Sequence, residues 1–310
     1  MADSSLNWRQ TVLLLATSAS FASSVLLNKL LVSALPPFTL AASRVLLALP
    51  FCIGAMLVLR KPLPASRRDR AAVSLASLGI IVVPYSALAI GQQTIASGLS
   101  GILYSIIPLL TLLLGAVFLR DERLGLDRFA GIGLGMAGVA VIIGPSLLGG
   151  IGEHALAELI TLCGPVAYAL AMVLMRRFRH IDAVTLTGAA FIASAFVLVP
   201  LAFAFENPLD HSPGLRTLLL LLALATLGTI VPAALSYQLV RQVGATRAAI
   251  AMFLMPGFAV LAGWAVLDER LGLEAFAGMA LILGGSYLVN RGSAAPPAPA
   301  PVVASQSRLA

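Results

Sequence analysis

The sequence predicts an all-α integral membrane protein with ten transmembrane helices, arranged as two inverted repeats of five helices. Three observations predict this fold class. Of the 310 residues, 59% are hydrophobic and only 11% are charged, with a mean hydropathy of +0.99, whereas soluble domains carry about 25% charged residues. The apolar residues form long runs between short charged stretches, and the second half of the chain repeats features of the first.

Ten apolar runs are long enough to cross a bilayer, which requires about 20 helical residues. They span residues 10–32, 38–59, 72–92, 97–119, 128–147, 155–175, 184–204, 215–238, 246–267 and 273–290. The last part of the chain, 292–310, is rich in Pro, Ala and Ser and predicts a disordered C-terminal tail.

The Lys and Arg residues predict the orientation. Sixteen of the 20 fall in segments that share one side of the membrane if the ten spans alternate in direction. Only Arg216 and Arg270 fall on the other side, and Lys29 and Arg44 lie within spans. Because positively charged loops remain in the cytoplasm, both termini are expected there. The net charge of +7 then reflects membrane topology, and no nucleic-acid partner is expected.

The repeat is recognised from prolines, glycines and a charged turn that recur about half a chain apart. The matches are Pro84 with Pro232 and Pro108 with Pro256, 148 residues apart, and Glu122 with Glu269, Gly131 with Gly278 and Gly138 with Gly285, 147 residues apart. They predict two five-helix repeats, 8–147 and 153–291. Because five is odd, the second repeat must insert upside down, as in many secondary transporters. The glycines are expected to permit close helix packing.

Several short motifs make the sequence similar to the EamA-type branch of the drug/metabolite transporter (DMT) superfamily. They are the Ala-Thr-Arg-Ala-Ala…Pro pattern at 245–256 and its counterpart at 97–108, the Glu-Arg-Leu turns at 122–124 and 269–271, and the opening features Asn28-Lys29, Pro36-Pro37 and Arg44. The resemblance covers essentially the whole chain before the tail. It implies a carrier in the bacterial inner membrane, with a central cavity between the halves, that usually exports amino acids or other small metabolites.

Lys29 and Arg44 are the cations expected within the membrane. Either one could snorkel to the interface, attract a substrate carboxylate or phosphate at the cavity mouth, or bond backbone carbonyls between spans. Together with the neighbouring Asn28, they are candidate substrate-binding residues.

Tyr85, Tyr104 and Tyr168 are expected well inside their spans, where each hydroxyl needs a hydrogen-bond partner. They either bond neighbouring helices or line a cavity. Four prolines are expected to break helices and to free the carbonyl four residues earlier: Pro84, Pro108, Pro232 and Pro256. A cavity lined by rings and freed carbonyls suits a small zwitterionic or aromatic solute.

The acidic residues lie near or outside the ends of the predicted spans. Glu158, about four residues inside the sixth span, is the nearest candidate for a proton site, and its other interpretation is an interfacial carboxylate at a helix start. Gln92, at the end of the third span, is also expected at the interface.

Two charged pairs, Glu122-Arg123 and Glu269-Arg270, occupy the turn between the fourth and fifth spans of each repeat. One interpretation is structural: such an acid can meet the N-terminus of the following helix. The other is that the two pairs form gates on opposite faces of the membrane.

Other classes of activity lack support in the sequence. It has no G-x-x-x-x-G-K-[ST] loop for a nucleotide and no His/Cys cluster with metal-ligand spacing, so no cofactor, metal or catalytic residue is expected. The sequence therefore predicts a secondary transporter in the lipid bilayer that exports small polar metabolites such as amino acids, with a homodimer as one expected assembly. The alternatives are a broad-specificity drug or phosphorylated-metabolite carrier and, from other classes, a membrane-embedded enzyme or a structural membrane protein.

Overall fold

The computed structural model describes residues 7–119, 125–148, 152–178, 180–244, 248 and 250–291. Across these residues the regular secondary structure is entirely helical. Glu122, Arg123 and the tail at 292–310 lie outside the described residues, so the expectations about them stay predictions.

Ten apolar helices follow one another along the described chain. They are α1 (Trp8–Leu31), α2 (Pro37–Val58), α3 (Arg67–Gly91), α4 (Ser97–Tyr104 and Ile107–Leu119), α5 (Leu126–Leu148), α6 (Glu153–Met175), α7 (Ala183–Phe205), α8 (Leu215–Val243), α9 (Ile250–Leu267) and α10 (Leu273–Arg291). The first eight have the length and hydropathy of membrane spans, whereas the apolar stretches of the last two, Ala251–Leu267 and Leu273–Val289, are shorter. Membrane crossing by α9 and α10 therefore stays a prediction.

Polar side chains at the helix starts satisfy backbone N–H groups that have no intrahelical partner. Asn7 and Gln10 form a reciprocal capping box at the start of α1, with side chain-to-backbone distances of 2.9 and 3.1 Å. Ser66 accepts a hydrogen bond from the backbone of Asp69 at the start of α3, and Asp182 does the same for Val184 in α7.

Two π turns interrupt α3 and α8 at equivalent positions in the two halves. The turns are Leu78–Val82 and Thr226–Ile230, which lie 148 residues apart and end two residues before Pro84 and Pro232. In each turn the hydrogen bond spans five residues, because proline supplies no N–H for the normal four-residue bond. The prolines were expected to disturb these helices, and the π turn is the form that the disturbance takes.

The other two prolines behave differently from one another. In α4 the helix is interrupted at Ser105–Ile106, directly before Ile107–Leu119, whose second residue is Pro108. In α9 the helix continues through Pro256 without interruption. The prediction of a helix break at Pro256 is therefore wrong: packing of α9 against α1 and α4 holds the helix on both sides of the proline.

The helices of the two halves pack against one another in a regular pattern. Helix α2 packs on α7, α5 on α10, α1 on α9 and α8, α3 on α6 and α7, α4 on α6 and α9, and α8 on α2. Exchanging each helix with the one five places away in the chain leaves this set of neighbours unchanged.

Glycines bring α5 and α10 into backbone contact. A Cβ atom added at Gly131 would lie 2.5 Å from the carbonyl oxygen of Gly285, and one added at Gly138 would lie 2.7 Å from that of Gly278. Residue numbers rise along one helix as they fall along the other, so the two helices run antiparallel. The prediction that these glycines serve close packing is confirmed.

Polar contacts tie the helices together at both ends of the bundle. We call the end where α1 begins the Trp8 end and the end where it finishes the Lys29 end. At the Trp8 end, Lys61 after α2 forms an ion pair of 3.2 Å with Asp182 before α7. At the Lys29 end, the carboxylate of Glu206 accepts hydrogen bonds from the backbone N–H groups of Phe38 and Thr39, at 2.9 and 2.6 Å, in the first turn of α2.

Candidate functional site

A cavity of about 350 Å³ lies between the two halves of the bundle. Its wall is mostly apolar and aromatic, and helices from both halves contribute to it. The polar or aromatic residues in the wall are Phe21, Ser24, Arg44, Tyr85, Tyr104, Tyr168, Thr187, Phe191, Thr229 and Ser236. The volume and the sparse polar groups are typical of a site for a small molecule.

The wall of the cavity extends toward both ends of the bundle. At the Trp8 end its wall includes Thr187, the fifth residue of α7, and Met252, the third residue of α9. Toward the Lys29 end its wall includes Leu88, the fourth residue from the end of α3, and Val25 of α1.

Arg44 is the charged residue in the cavity wall, and it is only 3% exposed. Its Nε donates to the Thr229 hydroxyl at 2.8 Å, and its Nη2 donates to the Ser24 hydroxyl at 2.8 Å and to the Gly228 carbonyl at 2.9 Å. Its Nη1 has no hydrogen-bond partner among the described residues. The guanidinium is thus held by α1 and α8, while the N–H groups of Nη1 have no partner among the described residues.

The π turn of α8 creates the acceptors that hold Arg44. Gly228 lies four residues before Pro232, so its carbonyl lacks the usual helical donor and is available to the guanidinium. A Cβ atom at Gly228 would lie 3.0 Å from the Cα of Ser24, so glycine permits the close approach of α1 to this turn.

Three tyrosines surround the guanidinium side of the cavity, and all three were candidates from the sequence. The ring of Tyr85 lies 3.7 Å from the Cζ of Arg44, a cation–π contact. The Tyr104 hydroxyl donates to the Pro84 carbonyl at 2.7 Å, which joins α4 to α3. Tyr168 lines the cavity from α6. The tyrosines therefore combine the two roles left open by the sequence, helix bonding and cavity lining.

Lys29 and Asn28 do not line this cavity. The Lys29 ammonium donates to the carbonyls of Gln92 and Ile95 at 2.6 and 2.8 Å, in the turn after α3. Asn28 donates to the side-chain oxygen of Gln92 at 2.8 Å, and Gln92 donates back to the Val25 carbonyl at 3.1 Å. Of the roles considered for Lys29, the geometry supports bonding of backbone carbonyls between helices. The side chain of Gln92 is fully buried within the protein, and its depth in the membrane stays a prediction.

Glu269 contacts the first repeat and not its sequence neighbour Arg270. Its carboxylate accepts hydrogen bonds from the Ser97 backbone N–H at 2.8 Å, the Ser97 hydroxyl at 2.8 Å and the Gly98 N–H at 3.1 Å. The structural interpretation predicted a helix N-terminus as the partner, but the helix is α4 rather than the following α10. Arg270 is exposed.

Glu158 lies in the second turn of α6 and is 5% exposed. It does not line the central cavity. Its side chain is enclosed by the protein near the start of α6, and its roles as a proton site or as an interfacial, helix-starting carboxylate stay predictions. In the described part of the chain, no three His, Cys, Asp or Glu residues are grouped so that they could hold a metal ion.

Two residues of the Arg44 environment, Ser24 and Thr229, were not candidates from the sequence. Thr229 lies three residues before Pro232, and its position beside a proline-freed carbonyl is the signal that could have identified it. Ser24 is one of several serines in α1, and only the three-dimensional packing distinguishes it from the others.

Comparisons with known proteins agree with this architecture. The chain matches the EamA-like transporter family over residues 9–144 and again over residues 155–291. It is 29% identical over 217 residues to a protein named uncharacterized transporter from Archaeoglobus fulgidus, covering 69% of this chain and 76% of the relative. It is 24% identical over 277 residues to the uncharacterized inner membrane transporter YedA of Escherichia coli, covering 88% of each.

A solved structure shares the fold. The TM-score between the two is 0.64 at 22% sequence identity, and the match covers 91% of this chain and 96% of the other. The two family matches together span most of the sequence, so the chain belongs to the EamA-like transporter family within the DMT superfamily and is a multi-pass membrane transporter.

Proposed function

We propose that the protein is a secondary transporter that exports small metabolites bearing a carboxylate, with amino acids as the first class to test. The observation that carries the proposal is the guanidinium of Arg44 beside the central cavity, with its Nη1 unpartnered among the described residues. No acidic side chain is among the described residues of the cavity wall. A guanidinium without a protein carboxylate is suited to pair with the carboxylate of a ligand.

The proposed mechanism is alternating exposure of this cavity at the two faces of the membrane. Antiparallel packing of α5 on α10, which occupy equivalent places in the two halves, supports two inverted repeats of five helices. A substrate would bind between the repeats, and the repeats would then move relative to one another.

The proposed orientation places the Trp8 end in the cytoplasm, because the Lys and Arg residues of the loops are concentrated there. Lys29, Gln92 and Glu269 form cross-helix contacts at the other end. We place the protein in the bacterial inner membrane, with homodimerisation to be tested by its mass in detergent.

A phosphorylated metabolite is the second candidate, since a guanidinium also binds phosphate bidentately. Among the described residues, the cavity wall carries a single cation, Arg44, which favours a singly charged carboxylate. Broad export of organic cations has less support, because the described part of the wall lacks a carboxylate to receive them.

The test is uptake into proteoliposomes from separate pools of amino acids, sugar phosphates, nucleosides and organic cations, with and without a pH gradient. We expect accumulation from the amino-acid pool, and loss of that accumulation in Arg44→Gln. Uptake of organic cations that persists in Arg44→Gln would refute the proposal.

A further inference from the structure

We propose that the π turn of α3, chiefly the carbonyl of Ile80, is a subsite for the ammonium group of a zwitterionic substrate. The inference rests on the proposed function, since it assumes that the substrate carboxylate pairs with Arg44. It adds the position of the second charge and the chemical class that carries both: a small α-amino acid, bound across the two halves.

The α8 turn shows what this local structure does to its carbonyls. The N–H of Val231 bonds to the Thr226 carbonyl, five residues earlier, and Pro232 supplies no N–H. The carbonyls of Leu227 and Gly228 are therefore left without helical donors. Side chains from other helices replace the missing donors: the Ser20 hydroxyl lies 3.1 Å from the Leu227 oxygen, and Nη2 of Arg44 lies 2.9 Å from the Gly228 oxygen.

The α3 turn has the same structure 148 residues earlier. The N–H of Val83 bonds to the Leu78 carbonyl, and Pro84 supplies no N–H, so the carbonyls of Gly79 and Ile80 lose the corresponding donors. Across the described residues, no side-chain hydrogen bond to either carbonyl is recorded, in contrast to their counterparts in α8.

The two freed carbonyls of α3 differ in their surroundings. Gly79 faces the backbone of α6, since a Cβ atom there would lie 2.5 Å from the Ala167 carbonyl oxygen. Ile80 and Ile81 belong to the cavity wall, as do their counterparts Gly228 and Thr229. The carbonyl of Ile80 is therefore the counterpart, in the first half, of the carbonyl that binds a cation in the second.

An ammonium group is the ligand that this carbonyl suits. It carries three donors and a positive charge, and charge-assisted hydrogen bonds to carbonyls are stronger than neutral ones. The cavity wall, as far as the structure describes it, offers no carboxylate for a substrate cation, so backbone carbonyls are the strongest acceptors there. An α-amino acid then places its carboxylate toward Arg44, its ammonium toward Ile80 and its side chain among the apolar residues.

The experiment compares leucine with 4-methylpentanoate, which is leucine without the amino group, by calorimetric binding to the purified full-length protein in detergent. We expect the wild type to bind leucine about tenfold more tightly, the effect of one charge-assisted hydrogen bond. Pro84→Ala restores an N–H that can occupy the freed carbonyls, and should reduce the ratio of the two affinities to near one. The matched control is Arg44→Gln, which should weaken both compounds while keeping the ratio.

A second variant tests the same carbonyl in case Pro84→Ala misfolds. Replacing Ile81 with its α-hydroxy analogue turns the Ile80 carbonyl into an ester, a weaker acceptor, and leaves every side chain in place. It should lower the ratio in the same direction. Equal binding of the two compounds by the wild type, or an unchanged ratio in both variants, would overturn the subsite and leave carboxylate transport standing. Binding of neither compound by the wild type would overturn the proposed function together with the subsite.

Discussion

Glu269 and Ser97 lie 172 residues apart in the chain, yet the Glu269 carboxylate receives both the backbone N–H and the hydroxyl of Ser97 at 2.8 Å. The contact joins the end of α9 to the start of α4. It lies at the Lys29 end of the bundle, which we expect it to hold closed, and the Ser97–Tyr104 segment that it contacts is separated from the rest of α4 by the interruption at Ser105–Ile106.

Glu269→Gln is expected to loosen this closure, because the amide replaces a charge-assisted acceptor and presents a donor to two N–H groups. The measurement is labelling of a cysteine at Phe21, in the cavity wall, by a membrane-impermeant thiol reagent. Cys52 and Cys163 are first replaced by Ala. Labelling from the Lys29 side should rise several-fold. The matched control is Glu274→Gln, an exposed acid in the first turn of α10. Equal labelling in both variants would show that Glu269 does not hold the end closed.

Arg44→Lys is expected to weaken substrate binding by about 10- to 100-fold, although it keeps the positive charge. Lysine cannot supply the three hydrogen bonds to Thr229, Ser24 and Gly228 and also keep a donor without a partner among the described residues. The loss corresponds to about 1.4–2.8 kcal/mol. Calorimetric binding of leucine measures it, and Arg216→Lys, at an exposed arginine near the start of α8, is the control. Full leucine affinity in Arg44→Lys would show that the planar arrangement of N–H donors on the guanidinium is unimportant for binding.

Gly131→Ala is expected to destabilise the protein by about 1–3 kcal/mol, as overpacking does, because the added Cβ would lie 2.5 Å from the Gly285 carbonyl oxygen. Gly133→Ala, two residues along the same helix, places its Cβ with nothing within 4 Å and should leave stability unchanged or slightly higher. Thermal unfolding in detergent compares the two. Similar melting temperatures would refute the close-packed crossing.

Lys29→Met is expected to lower stability without changing substrate affinity. The substitution removes two charge-assisted hydrogen bonds, to the carbonyls of Gln92 and Ile95, and leaves the cavity wall intact. A decrease in melting temperature with unaltered leucine binding is the expected pair of results. Lys61→Met, which removes a half-exposed ion pair, should lower the melting temperature less, since such pairs are worth about 0–1 kcal/mol. A large loss of leucine affinity in Lys29→Met would show that Lys29 contributes to substrate binding.

The helices and the candidate cavity residues could be predicted from the sequence because hydropathy and proline act locally. Apolar runs located the spans, and the spacing of Pro84 and Pro232 identified the two turns whose carbonyls are freed. Arg44 was identified because a guanidinium about six residues inside a predicted span needs partners.

The partners themselves could not be predicted. The preference of Glu269 for Ser97 over Arg270 depends on how α9 and α4 meet, which no local pattern encodes. The burial of Gln92 depends in the same way on Asn28 and Val25 from another helix. Pro256 and Pro84 share the same local chemistry, and the neighbouring helices decide which of them alters its helix.

The crossing of α5 and α10 has the form of an isologous interface. Gly131 contacts Gly285, the counterpart of Gly138, and Gly138 contacts Gly278, the counterpart of Gly131. This reciprocal pattern is that of a twofold homodimer. The short connection between 148 and 153 therefore adds little to recognition between the halves. Two fragments divided at that connection carry complementary surfaces and are expected to reassemble.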